Sequence, residues 1–224
     1  GNIGIIAVNA LKDILRGEEF GEIESWDYFY PRKVFIQNGL LKDLEFPTNK
    51  FYYARTEKKD LIIFIGEEQP GFGGRMYASG DKAYEMANLV IDVGLQFGCQ
   101  RIYTSGACVS PIHHQMKPRV CAVVSSEELK EEVIRTSNTV LMSELEGRSE
   151  GEGVITGLNG LLLGVAKKRG LGGICLMGEI PDWLSGASFP YPRASRSVLE
   201  VFAEILGIQL DLGFLEKIEG QIEE

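Results

Sequence analysis

The chain has few of the residues, and none of the local motifs, on which most enzymatic and metal sites depend. Its 224 residues include only two histidines, His113 and His114, and four cysteines. Adjacent histidines do not place two imidazoles on one helical face, and no two cysteines have CxxC spacing. The sequence also lacks a GxxxxGK[ST] loop, a GxSxG elbow and an HExxH motif. We therefore predict no catalytic residue, metal or cofactor, although a Ser-His-Asp triad formed in space stays open.

Basic residues are also scarce relative to acidic ones. The chain has 23 Lys and Arg against 32 Asp and Glu, a net charge of -9, which argues against nucleic acid and anionic membranes as partners. No apolar run approaches the ~18 residues that span a bilayer. The scattered cysteines favour a reducing cytoplasm, with Cys175 as a buried small hydrophobe. A disulfide among Cys99, Cys108 and Cys121 stays open.

The residues from Gly153 to Trp183 predict the repeating unit of the fold. The segment 158–169 begins almost entirely apolar and ends in basic residues, which are favourable at a helix C-terminus. Gly170 follows it, and glycine is the usual residue in the left-handed conformation that ends a helix. The run Ile174–Met177 is too short for a helix and too apolar for a half-exposed strand, so we expect a strand covered on both faces. A buried helix that leads into a buried strand indicates a layered α/β domain, and the length suits one domain.

Other periodic segments extend this pattern. Helical spacing of apolar residues predicts four further helices, over residues 3–15, 77–97, 192–206 and 212–222. Apolar runs predict strands, over residues 51–55, 61–65, 101–104 and 120–124, with weaker signals at 22–24 and within 138–152. Asn38-Gly39 between two short apolar runs predicts a β-hairpin, because both turn residues tolerate positive φ. Gly1 falls at the start of the first helix, so we expect a strand to precede it in the natural chain.

Three glycines interrupt the helix at 158–169 and its start. Gly157, Gly160 and Gly164 form a bare stripe on one helical face, although glycine costs about 1 kcal/mol relative to alanine inside a helix. One interpretation is close packing of this helix on the sheet or on another helix. The other is a surface lined by backbone, where free N–H groups near Asn159 face an anion.

Three predicted strands end in a similar way. Each buried run stops at or near a glycine and is followed by a loop and a proline, at residues 65–70, 104–111 and 177–181. If the strands are parallel, these loops share one edge of the sheet, where ligands of open α/β sheets collect. The crevice would be acidic, with Glu67, Glu68 and Glu179. Alternatively, glycine and proline merely end the strands and the carboxylates are solvated.

Several segments, in this order along the chain, resemble the PAC2 family of proteasome assembly chaperones and their archaeal and bacterial relatives. The matching segments are GNIG at 1–4, FYYA at 51–54, LIIFIGEEQP at 61–70 followed by Tyr77, RIYTSG at 101–106, GVITGLNGLLLGVAKKRG at 153–170 and ICLMGEIP at 174–181. The TGLNGLLLG segment is the most specific of these. Together the segments cover nearly the whole chain to about residue 212.

The resemblance implies a three-layer α/β/α sandwich with a mixed, mostly parallel sheet, similar to the nucleoside phosphorylase fold. It implies one domain over residues 1–224, with a C-terminal helical extension over 207–224. It further implies a non-catalytic, chaperone-like homo-oligomer in the cytoplasm, with proteasome α subunits as a possible class of partner.

The resemblance and the crevice together select eight residues as candidates for binding a ligand or partner. They are Asn2, Glu67, Glu68, Gln69, Tyr77, Asn159, Gly160 and Glu179. Two alternatives stay open at this point. One is a small-molecule binder or enzyme that uses the acidic crevice, and the other is a purely structural oligomer.

Overall fold

A computed structural model of the chain describes residues 2–71, 80–145, 153–186 and 190–223. The helices are α1 (Ile3–Ile14), α2 (Asp81–Gln96), α3 (Glu127–Val133), α4 (Gly157–Lys168), α5 (Pro192–Leu206) and α6 (Gly213–Glu223). The strands are β1 (Glu18–Glu22), β2 (Lys33–Gln37), β3 (Leu40–Glu45), β4 (Asn49–Ala54), β5 (Leu61–Gly66), β6 (Arg101–Ser110), β7 (Val120–Val124), β8 (Thr139–Leu141) and β9 (Gly172–Pro181). Among these described helices, none is long and apolar enough to cross a bilayer.

The strands form three hydrogen-bonded groups. A mixed sheet has the order β6-β9-β7-β8, in which β6 pairs parallel with β9, β7 parallel with β8, and β7 antiparallel with β9. An antiparallel sheet has the order β1-β4-β5, and β2 and β3 form a separate hairpin. The predicted α/β class with a mixed, mostly parallel sheet is confirmed.

Two helical layers cover opposite faces of the strands. One core cluster joins α1, α3 and α5 to Ile63 of β5 and Ile174 of β9. A second cluster joins α2 and α4 to Phe51 of β4, with Phe64 of β5 and Ile102 of β6 packed against it. Because β5 and β6 contribute to both clusters, the two larger sheets together occupy the middle layer of a sandwich. The predicted burial of 174–177 on both faces is also confirmed.

The predicted hairpin is present and stands apart from both layers. Asn38 and Gly39 have φ values of 55° and 74°, as a type I′ turn requires. Apart from their pairing with each other, β2 and β3 make only sparse contact with the other described elements. At its base, the Arg32 N–H donates to the Glu45 carbonyl oxygen, and the hairpin otherwise extends into solvent.

Some boundaries and pairings differ from the sequence-based expectations. The weak strand signal at 22–24 belongs to the end of β1, which begins four residues earlier at Glu18. The strand β5 pairs with β4 and not with β6 or β9, so the parallel pairing that the sequence suggested for the three strands is confirmed only for β6 and β9. Apolar runs identify strands but carry no information on their neighbours, which explains this error.

All four cysteines are free thiols, which answers the open question of a disulfide. Cys108, Cys121 and Cys175 lie in one buried cluster with Met142 and Met177. Burial raises the pKa of Cys175 to about 11, and a hydrogen bond to Cys108 together with burial raises the pKa of Cys121 well above its ordinary value. Cys121 and Cys175 therefore stay protonated at neutral pH, and the buried cysteines pack as small apolar side chains.

Candidate functional site

The start of α4 is capped by a side chain from a distant loop. The Leu158 N–H donates to Gln69 Oε1 over 2.9 Å, whereas the N-cap residue, Thr156, makes no capping hydrogen bond with its own side chain. A methyl group added at Gly157 would lie 2.6 Å from the same Gln69 oxygen, and the φ of Gly157 is +80°. Glycine is therefore required at 157 so that the Gln69 amide can reach the helix. The Leu158 N–H is one of the helix-start groups that the sequence offered to an anion. It instead donates to the Gln69 side chain.

We expect Gln69→Ala to lower the free energy of unfolding by about 1 kcal/mol, because the Leu158 N–H loses its acceptor. Gln69→Glu is the matched control. It keeps an oxygen at the same reach and adds a negative charge that the helix N-terminus favours, so its stability should stay near that of the wild type. Urea denaturation of the three proteins measures both changes. A glutamate variant as unstable as the alanine variant would show that the amide oxygen is not the cap.

Asn159 and Gly160 hold α4 against β6 and the preceding loop. Asn159 Nδ2 donates to the Ser105 carbonyl oxygen over 2.6 Å. A methyl group at Gly160 would overlap the carbonyl oxygen of Ile155. Gly164 is exposed and has no neighbour within 4 Å of an added methyl group. The interpretation of the three glycines as one packing stripe is therefore wrong, since each has a different environment.

Glu67 and Glu68 follow β5 and share one cation. Arg32 Nη1 lies 3.0 Å from Glu67 Oε2, and Arg32 Nε lies 2.6 Å from Glu68 Oε1. The Thr48 N–H also donates to Glu67 Oε2 over 2.9 Å. Arg32 thus offsets one of the two negative charges and ties the base of the hairpin to the end of β5. Because all three side chains are partly exposed, the pairs contribute little to stability.

Glu67 also lines an open cleft of about 420 Å³ together with Asn2, the first described residue. Its polar lining comprises Asn2, Asn9, Arg32, Thr48, Lys50 and Glu67. The apolar lining is limited to Ile5, Tyr52 and Ile65. Small-molecule sites have this size but are lined mostly by apolar side chains, so the composition of the cleft gives little support to a ligand pocket.

Glu179 on β9 lies in a different environment. Its side chain is fully buried, and it accepts two hydrogen bonds from the Arg119 guanidinium, at 2.8 and 2.9 Å, and a third from the Arg119 backbone N–H at 2.9 Å. Burial by itself would raise the pKa of Glu179, but these hydrogen bonds outweigh it and hold the pKa below its ordinary value. Glu179 is therefore ionised at neutral pH and shielded from solvent by its partner. Such a carboxylate is poorly placed to exchange protons with a substrate.

The described candidates make three sets of contacts. Gln69, Asn159 and Gly160 meet at the start of α4, Asn2 and Glu67 share the open cleft with Glu68 beside them, and Glu179 is paired with Arg119. Tyr77 lies outside the described residues. Within the described part of the chain, no group of three or more His, Cys, Asp or Glu side chains could hold a metal.

The strands β6 and β9 end at the same end of the sheet. The two strands pair in parallel as far as Ser110 and Pro181, so the residues that follow both of them emerge at the same end of the sheet. Three apolar side chains there are exposed: Val109 by 41%, Met116 by 61% and Trp183 by 66%. We call these three residues the strand-end surface. Large exposed apolar side chains mark a site for contact with another protein more often than a reaction centre.

Sequence analysis did not identify the two arginines that bind the candidate carboxylates. Arg32 and Arg119 lie 35 and 60 residues from the carboxylates they bind. Each follows a proline directly, and no local spacing distinguishes it from a solvated cation. Only the pairing of distant segments could have identified them.

Comparison with known proteins gives consistent results. The sequence matches the PAC2 family over residues 1–224. An uncharacterised protein of Methanocaldococcus jannaschii is 29% identical over 218 residues, which is 97% of this chain and 74% of that protein.

Two solved structures from Pyrococcus furiosus are also similar. PbaB, described as an archaeal proteasome activator, is 29% identical with a TM-score of 0.77, and the match covers 99% of this chain and 85% of PbaB. PbaA, described as an archaeal homologue of proteasome-assembly chaperone, is 24% identical with a TM-score of 0.71 over 99% of this chain and 83% of PbaA. The likeness to PbaA shows the fold alone.

Proposed function

This chain belongs to the PAC2 family, and from that premise we propose that it is a non-catalytic, chaperone-like protein that acts by binding other proteins. We further propose that it works as a homo-oligomer in the cytoplasm and that proteasome α subunits are its partners. The four free cysteines support a reducing compartment. The description of PbaB as a proteasome activator supports the class of partner.

The strand-end surface is the observation that carries this proposal. In an α/β enzyme, the edge at the carboxyl ends of the strands holds the reactive groups. Here that edge presents Met116 and Trp183 to solvent, while the nearby carboxylate, Glu179, is buried in an ion pair. Tryptophan is among the residues that contribute most to protein–protein affinity. The edge therefore suits contact with a protein better than conversion of a small molecule.

Native mass spectrometry of the full chain with proteasome α subunits from the same organism tests the partner. We expect a complex at about 10 µM that persists in moderate salt, because the contact surface is apolar. An unrelated acidic protein of similar pI is the control for nonspecific attraction. Detection of the two proteins only as separate species at this concentration would contradict the choice of partner.

The type of action can be tested with the same reagents. An assembly chaperone should accelerate the formation of α-subunit rings, followed as a time course on native gels. An activator should instead bind assembled proteasomes and increase peptide hydrolysis. If neither rate changes although a complex forms, the protein binds the proteasome without the proposed chaperone-like action.

Trp183→Ala should weaken the complex with α subunits by about 30-fold, which corresponds to the loss of a hot-spot residue. Trp26→Ala is the matched control, because Trp26 is 63% exposed and Trp183 is 66% exposed, and Trp26 lies outside the strand-end surface, on the segment that leads to the hairpin. Isothermal titration calorimetry measures both affinities. Equal weakening by the two substitutions would show that the strand-end surface is not the specific contact.

A further inference from the structure

The β2–β3 hairpin has one face built entirely from aliphatic side chains. Cross-strand pairs share a face of a β-ribbon, and residues two apart along a strand lie on the same side. Val34 pairs with Leu44, and Ile36 pairs with Leu41. These four residues are here called the aliphatic face. A register shift between Phe35 and Ile36 places Leu41, rather than Lys42, opposite Ile36.

This face lacks a cover in the described part of the chain. Val34 is 50% exposed, Ile36 70% and Leu41 71%, whereas Leu44 near the base is half-buried. An isolated two-stranded hairpin is at best marginally stable in water, and packing of its apolar face is what normally stabilises it. Ile36, Leu41 and Tyr30 just before β2 are each at least 70% exposed, and exposed apolar patches mark interaction sites.

We propose that the aliphatic face packs against the aliphatic face of a second copy of this chain. This inference rests on the homo-oligomer of the proposed function and names its interface. Interfaces between different, separable proteins are about as polar as the rest of the surface, whereas homodimer interfaces are more apolar. A face without any charged or polar side chain fits the second class. In a two-fold contact the same face serves both copies, so each aliphatic side chain meets another.

The distribution of charge also favours a second copy at this location. The chain carries a net charge of -9, so two copies repel each other over most of their surfaces. The segment from Arg32 to Glu45 is different, because it contains three basic and two acidic residues. Two copies can therefore approach through their hairpins with less repulsion than the net charge of the whole chain produces.

The oligomeric mass of the full chain in solution tests this interface. Wild type, analysed at about 50 µM by light scattering after size exclusion and by native mass spectrometry, should have at least twice the chain mass of 24.8 kDa. The double variant Ile36→Lys/Leu41→Lys places two charges on the aliphatic face. Its dissociation constant should rise by at least about 100-fold, because the charges would be buried without partners, and its mass should fall accordingly.

The double variant Gln37→Lys/Leu40→Lys is the matched control. Gln37 and Leu40 are cross-strand partners next to the turn and lie on the opposite face, so this variant adds the same charge but should keep the wild-type mass. Both variants should fold, since Ile36, Leu40 and Leu41 are each at least 70% exposed in a single chain. Circular dichroism checks that both double variants are folded. A wild type that runs at the mass of one chain, or equal masses for the two variants, would overturn the proposal.

The binding of α subunits distinguishes this inference from the proposed function. Trp183 and the aliphatic face lie on different elements, so a dissociated Ile36→Lys/Leu41→Lys variant should still bind through the strand-end surface. Loss of the oligomer with binding retained supports the interface on its own. An intact wild-type oligomer that binds no α subunit would contradict the partner and leave the interface supported.

Discussion

Replacement of Arg119 by methionine should lower the free energy of unfolding by about 3 kcal/mol, although half of the Arg119 side chain is exposed. The reason is its partner. Glu179 is fully buried, and without the guanidinium its charge loses both side-chain hydrogen bonds from Arg119. Removal of one member of a buried ion pair typically costs 3–5 kcal/mol. We expect the lower end of this range, because water can reach the space that the guanidinium leaves.

The double variant Arg119→Met/Glu179→Gln provides the control. Glutamine has nearly the shape of glutamate but no charge, so the double variant should recover more than half of the lost stability. Urea denaturation of the single and double variants gives the coupling energy between the two residues. If the double variant were as unstable as Arg119→Met, the effect would come from lost packing of the arginine and not from a buried charge.

The same pair predicts how stability depends on pH. The pKa of Glu179 is lower in the folded protein than in the unfolded chain, so its contribution is fully present above the unfolded value of about 4.3. It is lost as the pH falls through the depressed folded value. The difference in stability between wild type and Arg119→Met should therefore be constant near pH 7 and shrink below about pH 4. If the difference in stability between wild type and Arg119→Met stayed the same down to pH 3, the Glu179 carboxylate would not be its source.

Gly160→Ala and Gly164→Ala should change stability in opposite directions, although the two glycines lie one turn apart in α4. The methyl group at 160 would overlap the carbonyl oxygen of Ile155. Overpacking of this kind costs 1–3 kcal/mol, and a rigid backbone atom favours the upper end. At 164 the methyl group meets nothing within 4 Å, so the helical preference of alanine should raise the free energy of unfolding by up to about 1 kcal/mol.

Thermal unfolding separates these outcomes. For a domain of this size 1 kcal/mol corresponds to about 2–4 °C, so the midpoint should fall by roughly 5–10 °C for Gly160→Ala and rise by a few degrees for Gly164→Ala. Each variant serves as the control for the other, since both make the same chemical change in the same helix. Loss of stability in both would indicate that Gly164 also has a packing role.

Much of the fold could be predicted because it depends on local order along the chain. The helical spacing before Gly17, the apolar run at 61–65 and Asn38-Gly39 each identified an element that the structure contains. Helical periodicity predicts a helix from residue 77, but residues 77–79 lie outside the described part of the chain, and α2 begins at Asp81 after Gly80. Periodicity reports which residues share a face, but the first turn of a helix depends on capping contacts that periodicity does not show.

The candidate residues show where local reasoning ends. Gln69 was selected as a binding residue from its place after a strand, but its side chain accepts a hydrogen bond from α4, 89 residues further along. The hairpin was identified from its turn, yet its exposed aliphatic face could not be, because a strand sequence does not state whether another element covers it. Both features depend on which segments meet in space.

The order of residues along the chain was enough to predict the α/β class, the hairpin turn, the buried strand at 174–177 and the resemblance to one family. Each of these rests on residues close together in the chain, whose spacing sets backbone geometry and burial directly. Tertiary structure alone decided that Glu179 is held by Arg119, that β5 pairs away from β6 and β9, and that the glycines of α4 face three different environments. Charge pairing and steric contact act between atoms that are near in space, and their distance along the chain places no limit on them.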